Sequence, residues 1–209
     1  MAFPSLKLGY FDCAGRAETS RLAFTLADIP FEDVRVQRGD WMALKPTLPY
    51  KQLPFLQVDG RVVCQSRAIS RYAATLAGLY PKNDPWNACR VDELNDFIQE
   101  IVIALSTIVD ENDPAKKKEL SDGLAKERLP AMLSLLEARL ASSESKGPWF
   151  LDTMTLADLE VYSLVSVFKS GFVDYMPTDM CDAYARTIAI YDAVASHPKV
   201  AAWNLAHGQ

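Results

Sequence analysis

FLQVDGRVVCQ, residues 55–65, decides the fold. Asp59-Gly60 favours the left-handed backbone of a tight hairpin, and apolar runs flank it on both sides, so the stretch reads as two strands joined by a two-residue turn. Ser66 follows at once as a candidate cap for a helix over 67–77, with Gly78 suited to its stop. Toward the N-terminus, Leu6–Phe11 is a short apolar and aromatic run that Gly15 breaks. Residues 16–28 (RAETSRLAFTLAD) carry Leu22, Phe24 and Leu26 among helix formers. Ile29-Pro30 ends that helix, because the residue before proline avoids the α region. Residues 31–36 (FEDVRV) alternate apolar and polar, the period of a half-buried strand. The order is therefore β-α-β, an irregular stretch, then β-β-α.

Past Gly78 the pattern changes. LYPKNDP (79–85) reads as a linker, and strand signals nearly vanish after it. Helical patterns follow at about 86–110, 116–141, 155–171, 178–195 and 199–206. Thr155 and Asp158 have the spacing of a capping box, with Met154 and Leu159 placed as a hydrophobic staple across it. A small α/β domain over 1–80 followed by an all-helical domain over 86–209 is expected.

The bulk properties narrow the function. Of 209 residues, 49% are apolar and 23% charged, enough for a core without staples. The net charge of −5 leaves no basic excess to neutralise phosphates, so nucleic acid is not an expected partner. No apolar run approaches the ~18 residues of a membrane span. Met1–Phe11 lacks a basic stretch followed by an apolar one, so a cytoplasmic protein without a signal peptide is expected. Cys13, Cys64, Cys89 and Cys181 form no C-x-x-C pair and read as free thiols. With His197 and His207 the only histidines, histidine catalysis and metal binding are not expected, and neither is a prosthetic group. The acidic run 110–113 lacks the glycine and final glutamate of a calcium loop, and AKKK (115–118) is too short for a nucleic-acid patch.

Several segments, in order and covering essentially the whole chain, resemble the cytosolic glutathione transferases. They are GYFDCAGRAE (9–18), DWMALK (40–45), KQLPFLQVDG (51–60), QSRAISRYAA (65–74), VDELNDF (91–97) and TLADLEVY (155–162). The opening and the Trp-Lys segment are similar to the sigma class, whereas LYPKNDPWNACRVDELND (79–96) and Tyr50 are similar to the pi class. The resemblance implies a thioredoxin-like α/β N-terminal domain plus an all-α C-terminal domain. It also implies glutathione as co-substrate, a small hydrophobic electrophile as partner, and a homodimer active in detoxification.

The same resemblance assigns roles. Tyr10 becomes the hydroxyl that donates to the glutathione sulfur and favours its thiolate. Arg16 lies beside that sulfur. Trp41 and Lys45 grip the glycine carboxylate, and Gln65 and Ser66 hold the γ-glutamyl group at a helix N-terminus. Gln52 contacts γ-glutamyl or backbone groups. Leu53-Pro54 is implied to be cis, with the Leu53 main chain pairing with the cysteinyl part like an added strand. Asp96 of the partner subunit reaches the γ-glutamyl ammonium, and Tyr50 is the key of a two-fold dimer. Phe11, Gly15, Val102 and Ser106 are wall positions for the electrophile. Ser106 stands where pi-class enzymes carry a tyrosine, and with little chain beyond Trp203 to form a lid, an open pocket is expected.

Without the resemblance each of these residues has a plainer reading. Tyr10 is one of eight tyrosines, Arg16 and Lys45 are surface charges, Ser66 is only a cap, and Asp96 is a solvated helix carboxylate. Four functions remain open: a transferase acting on aryl halides, isothiocyanates or lipid peroxidation products; a glutathione-dependent isomerase of the prostaglandin D synthase type; a crystallin or ligand carrier; and a thiol transferase using Cys13 as a low-pKa nucleophile.

Overall fold

The hairpin forms as its sequence requires. Asp59 and Gly60 take φ of 47° and 84°, both in the left-handed region that this turn demands. The strands on either side, β3 (Phe55–Val58) and β4 (Arg61–Cys64), pair antiparallel with Phe55 opposite Cys64. β1 (Leu6–Phe11) pairs antiparallel with β3 and parallel with β2 (Glu32–Val36), giving the order β2-β1-β3-β4. The computed structural model describes residues 3–208.

Two compact units are present: Met1–Asn83 together with Pro198–Gln209, and Asp84–His197. In the first, α1 (Glu18–Leu26) packs against α3 (Ser66–Ala77) and against α9 (Pro198–His207). The segment 198–209, expected with the helices that precede it, thus belongs with the α/β unit. The stretch expected to be irregular holds a short helix, α2 (Arg38–Leu44). None of its residues is fully buried, and Gly39 and Asp40 weaken its propensity; Trp41 and Leu44 anchor it by packing on Leu48, Phe55 and Cys64. At the start of α3 the expected cap shifts by one residue. Gln65 is the N-cap, at φ 79° and ψ 107°, and Ser66 is already helical. Only one residue separates β4 from α3, so Gln65 alone makes the reversal.

The second unit is helical. Asp84 caps α4 (Pro85–Val109) and Asp113 caps α5 (Pro114–Gly123), each accepting from amides of its first turn. The helix expected over 116–141 runs without a gap but changes its winding midway. A π turn at Leu124–Arg128 joins α5 to α6 (Leu129–Ala141), with the Leu129 N–H reaching back to the Leu124 carbonyl. Pro130, which has no N–H to give the helical ladder, sits in this first turn of α6. The helix expected over 178–195 begins only at Ala185, as α8 (Ala185–Ala195). Its start is set from a distance: the Glu137 carboxylate accepts from the amides of Arg186 and Thr187 at 2.7 and 2.9 Å. Among the described residues no helix is long and apolar enough to cross a membrane.

The capping box of α7 (Leu156–Lys169) is present. Asp158 is completely buried and accepts from the amides of Phe150 (2.7 Å) and Thr155 (2.8 Å) and from the Thr155 hydroxyl (3.1 Å). Burial nevertheless dominates these bonds and raises its pKa from 3.8 to about 6. A carboxyl that holds its proton more tightly folded than unfolded contributes most to stability below the unfolded value. That contribution declines as pH rises through the folded one. About two units correspond to roughly 3 kcal/mol. The unfolding free energy of the wild type, measured relative to Asp158→Asn by denaturant titration, is therefore expected to fall by ~1–3 kcal/mol between about pH 4 and pH 7. A pH-independent difference would mean that the amide donors keep Asp158 ionised throughout.

Candidate functional site

Two glycines shape the end of β1. A Cβ on Gly9 would lie 2.1 Å from the Phe55 ring, so this position must lack a side chain for β3 to lay Phe55 across β1. Gly15 is constrained twice: its φ is +48°, and an added Cβ would lie 2.6 Å from the Tyr10 ring and 2.9 Å from its hydroxyl oxygen. Tyr10 is half-buried, with its ring resting on the Gly15 backbone and its oxygen hydrogen-bonded to the main chain of Arg16. Burial pushes the Tyr10 pKa above 10.0, outweighing the Arg16 hydrogen bond and the Arg16 and Arg21 charges, which pull it down. The result is a phenol that stays neutral at physiological pH, with a proton to donate.

An aromatic path leads away from it. Tyr10 and Phe11 rings lie 5.8 Å apart, and Phe11 meets Trp41 edge-on at 5.8 Å. Lys45, one helical turn beyond Trp41, places its ammonium 5.9 Å from the Trp41 ring centroid. Trp41 is seated on the same cluster as Leu53, which adjoins the cis Leu53-Pro54 bond. Pro54 is buried, Leu53 half-buried and Gln52 exposed. Ser66 is half-buried at the first turn of α3, whose amides have no acceptor within the helix, and the exposed Gln65 precedes it. Tyr50 is 63% exposed.

The first unit thus carries Tyr10, Phe11, Gly15, Arg16, Trp41, Lys45, Tyr50, Gln52, Leu53, Pro54, Gln65 and Ser66. Asp96, Val102 and Ser106 lie on α4 of the second; Asp96 is exposed, and the Ser106 hydroxyl donates to the Val102 carbonyl at 2.9 Å. Cys13 is an exposed free thiol. Desolvation raises its thiol pKa despite Arg21 and Arg35, and α1 proper begins five residues later, at Glu18.

Sequence reasoning missed Glu18 and Arg21, which pass for solvated charges on a surface helix. Both are buried, at 3% and 0% exposure, and Arg21 Nη1 donates to the carbonyls of Cys13 (2.7 Å) and Ala14 (3.2 Å). A signal was present in the i, i+3 spacing of opposite charges, but surface helices carry the same spacing.

Comparison with known proteins fits this arrangement. Residues 6–75 match the family model of the glutathione S-transferase N-terminal domain, and residues 95–207 that of its C-terminal domain. The chain is 34% identical to hematopoietic prostaglandin D synthase of Gallus gallus, over 96% of this chain and 95% of that one. It is 36% identical to glutathione S-transferase 1 of Ascaris suum, over 83% and 84%. The structure of prostaglandin synthase D of Nilaparvata lugens superposes with a TM-score of 0.85, at 32% identity and 96% coverage of both chains. The chain belongs to the glutathione S-transferase family.

Proposed function

We propose that this family member is a catalytically active glutathione S-transferase, cytoplasmic and homodimeric, that serves detoxification by conjugating small hydrophobic electrophiles. One observation carries the reading: the Tyr10 hydroxyl is kept neutral by burial and is fixed between the Gly15 backbone and the Arg16 main chain. A neutral O–H aimed at sulfur stabilises thiolate over thiol, and a drop of about two units in the glutathione pKa corresponds to roughly 2.7 kcal/mol. The thiol proton leaves to solvent. The sulfur lone pair then forms a bond to the electrophilic carbon, and the leaving group departs with its bonding electrons.

The rest of the peptide is placed by matching its charges to donors. Trp41 and Lys45 take the glycine carboxylate, and Ser66 with Gln65 takes the γ-glutamyl carboxylate at the α3 N-terminus. The Leu53 main chain pairs with the cysteinyl amide, and Gln52 supports the γ-glutamyl end. Arg16 adds positive charge near sulfur. Asp96 of the partner subunit meets the γ-glutamyl ammonium, with Tyr50 as the dimer key. The electrophile meets Phe11 and Gly15 on the first unit; Val102 and Ser106 are assigned to it by family likeness alone.

A second reading, a glutathione-dependent isomerase, is favoured by the likeness over nearly the full length to hematopoietic prostaglandin D synthase. Formation of prostaglandin D with glutathione present distinguishes it from conjugation.

Thioether formation with a generic aryl halide, followed from about pH 5.5 to 8.5, tests the main reading. Tyr10→Phe is expected to lose ~100-fold in kcat/KM near pH 6.5, with the loss shrinking as pH approaches the pKa of free glutathione. A wild type that binds glutathione but shows no Tyr10-dependent turnover would overturn it in favour of a carrier. Gly15→Ala retains the phenol but displaces it. Since the new Cβ also meets a disfavoured φ, the expected loss is about tenfold, with the pH profile shifted the same way. An unshifted profile in that variant would show that the Tyr10 position against Gly15 is immaterial.

A further inference from the structure

The segment beneath Tyr10 is held by a buried chain of charges that ends in the last helix. Trp203 on α9 donates its indole N–H to Glu18 Oε1 at 2.6 Å. Glu18 Oε2 accepts from Arg21 Nη1 at 3.1 Å. The same Nη1 donates to the carbonyls of Cys13 and Ala14, and Nε donates to Asp33 Oδ1 at 3.0 Å. Asp33 in turn accepts from Arg35 Nε at 2.7 Å, and Arg35 Nη1 lies 3.5 Å from Asp12. Residues 12–14 are thereby tied from both sides. The next two residues, Gly15 and Arg16, supply the backbone on which the Tyr10 ring rests and the main-chain partner of its hydroxyl. The Arg21 guanidinium itself lies 6.0 Å from the Tyr10 ring centroid.

α9 is fastened so that this linkage has a fixed end. Lys199 donates to the Leu26 carbonyl at 2.8 Å and pairs with Asp28. The Trp203 ring packs on Phe31 at 6.2 Å, and Phe31 on Phe24 at 5.1 Å. Glu18 is 3% exposed, so an indole donor lost from one oxygen is not replaced by bulk water, and the carboxylate is left to re-aim within its socket. Arg21 is the group it would take along.

We infer that Trp203 is a positioning residue: acting through Glu18 and Arg21, it fixes the Cys13–Arg16 segment against the Tyr10 hydroxyl. The consequence for catalysis rests on the thiolate reading above, whereas the positioning itself does not. With the indole donor gone, the Arg16 amide loosens from the Tyr10 oxygen, the phenol samples more orientations, and a bound thiolate receives a weaker hydrogen bond.

Trp203→Phe removes the N–H and keeps a ring against Phe31. Native-state hydrogen exchange is expected to show the Arg16 amide opening about tenfold or more faster in this variant, with the amides pairing β1 to β3 unchanged. The pH profile of thioether formation is expected to move up by about half a unit to one unit, a ~3–10-fold loss near pH 6 that vanishes at high pH, with the KM for glutathione little altered. Glu18→Gln still accepts from the indole but loses its charge toward Arg21, and a smaller change of the same sign is expected. Unchanged Arg16 exchange, in whichever of these variants keeps native thermal unfolding, overturns the inference. So does a loss of rate that is equal at every pH. A Tyr10→Phe variant whose own profile fails to move instead removes the thiolate reading, and the exchange measurement still decides the positioning role.

Discussion

The Phe55 ring lies across Gly9, and the site side of the α/β unit depends on that contact. β1 is an inner strand of the sheet, and any side chain at Gly9 would occupy the space that Phe55 fills. Phe55 so placed gives Leu48 and Cys64 something to close upon, and Trp41, Leu44 and Leu53 pack against that cluster. α2, too short and too weak in propensity to stand alone, is a helix because of this packing. The proposed carboxylate grip of Trp41 and Lys45 therefore inherits its position from a missing side chain in β1. The cis Leu53-Pro54 segment stands beside the same cluster, so the proposed backbone edge for glutathione and its proposed cationic end share one support.

In each unit an irregular segment is held by a buried ionisable side chain, and the sign of the charge follows the backbone groups to be satisfied. Around residues 13–14 the exposed backbone groups are carbonyls, and the partner is a cation, Arg21. Around 150–155 they are amides, and the partner is a carboxylate, Asp158. Desolvating such a charge is costly, and hydrogen bonds of good geometry offset much of the cost, although Arg21 Nη2 stays buried with no hydrogen-bond partner. The need for those bonds is also what makes these residues specific. A loop that moved would strand the charge, so the loop is confined to the geometry that satisfies it. Asp158 shows the balance to be close, because three accepted hydrogen bonds still leave its carboxyl pKa raised.

What was legible in the sequence was local. Asp59-Gly60 specifies its turn through two residues, and Thr155 and Asp158 complete each other across three positions. Where the deciding partner is remote, the pattern misled. The start of α8 lies at Ala185 because Glu137, on another helix, supplies the cap. The π turn between α5 and α6 is the exception: Pro130 stood in plain view within an otherwise helical pattern. At Gln65 the reversal from strand to helix in one residue was decided by the spacing of two elements, and no propensity encodes that. The candidate site divides the same way. Tyr10, Trp41, Lys45, Gln65 and Ser66 stood out through family likeness. Gly9, Glu18 and Arg21 matter through what packs against them, which a single sequence does not display.

The electrostatics of the thiols bear on which sulfur reacts. Cys13, Cys64 and Cys181 all have their pKa raised by desolvation, Cys181 to about 12, so the chain suppresses thiolate formation at these three side chains. A disulfide-exchanging enzyme requires the reverse, a cysteine whose thiolate is favoured by nearby positive charge or a helix N-terminus. Arg21 and Arg35 do act on Cys13 in that direction, yet burial outweighs them, and much of their charge is answered by Glu18, Asp33 and Asp12. At Tyr10 burial again prevents ionisation, but for a phenol the neutral form is the one that helps, since it alone can donate to a thiolate arriving with a ligand. Burial thus acts on the two groups with opposite consequence, disfavouring the Cys13 thiolate and keeping the Tyr10 hydroxyl available as a donor; in the proposed reaction the reactive sulfur is that of glutathione.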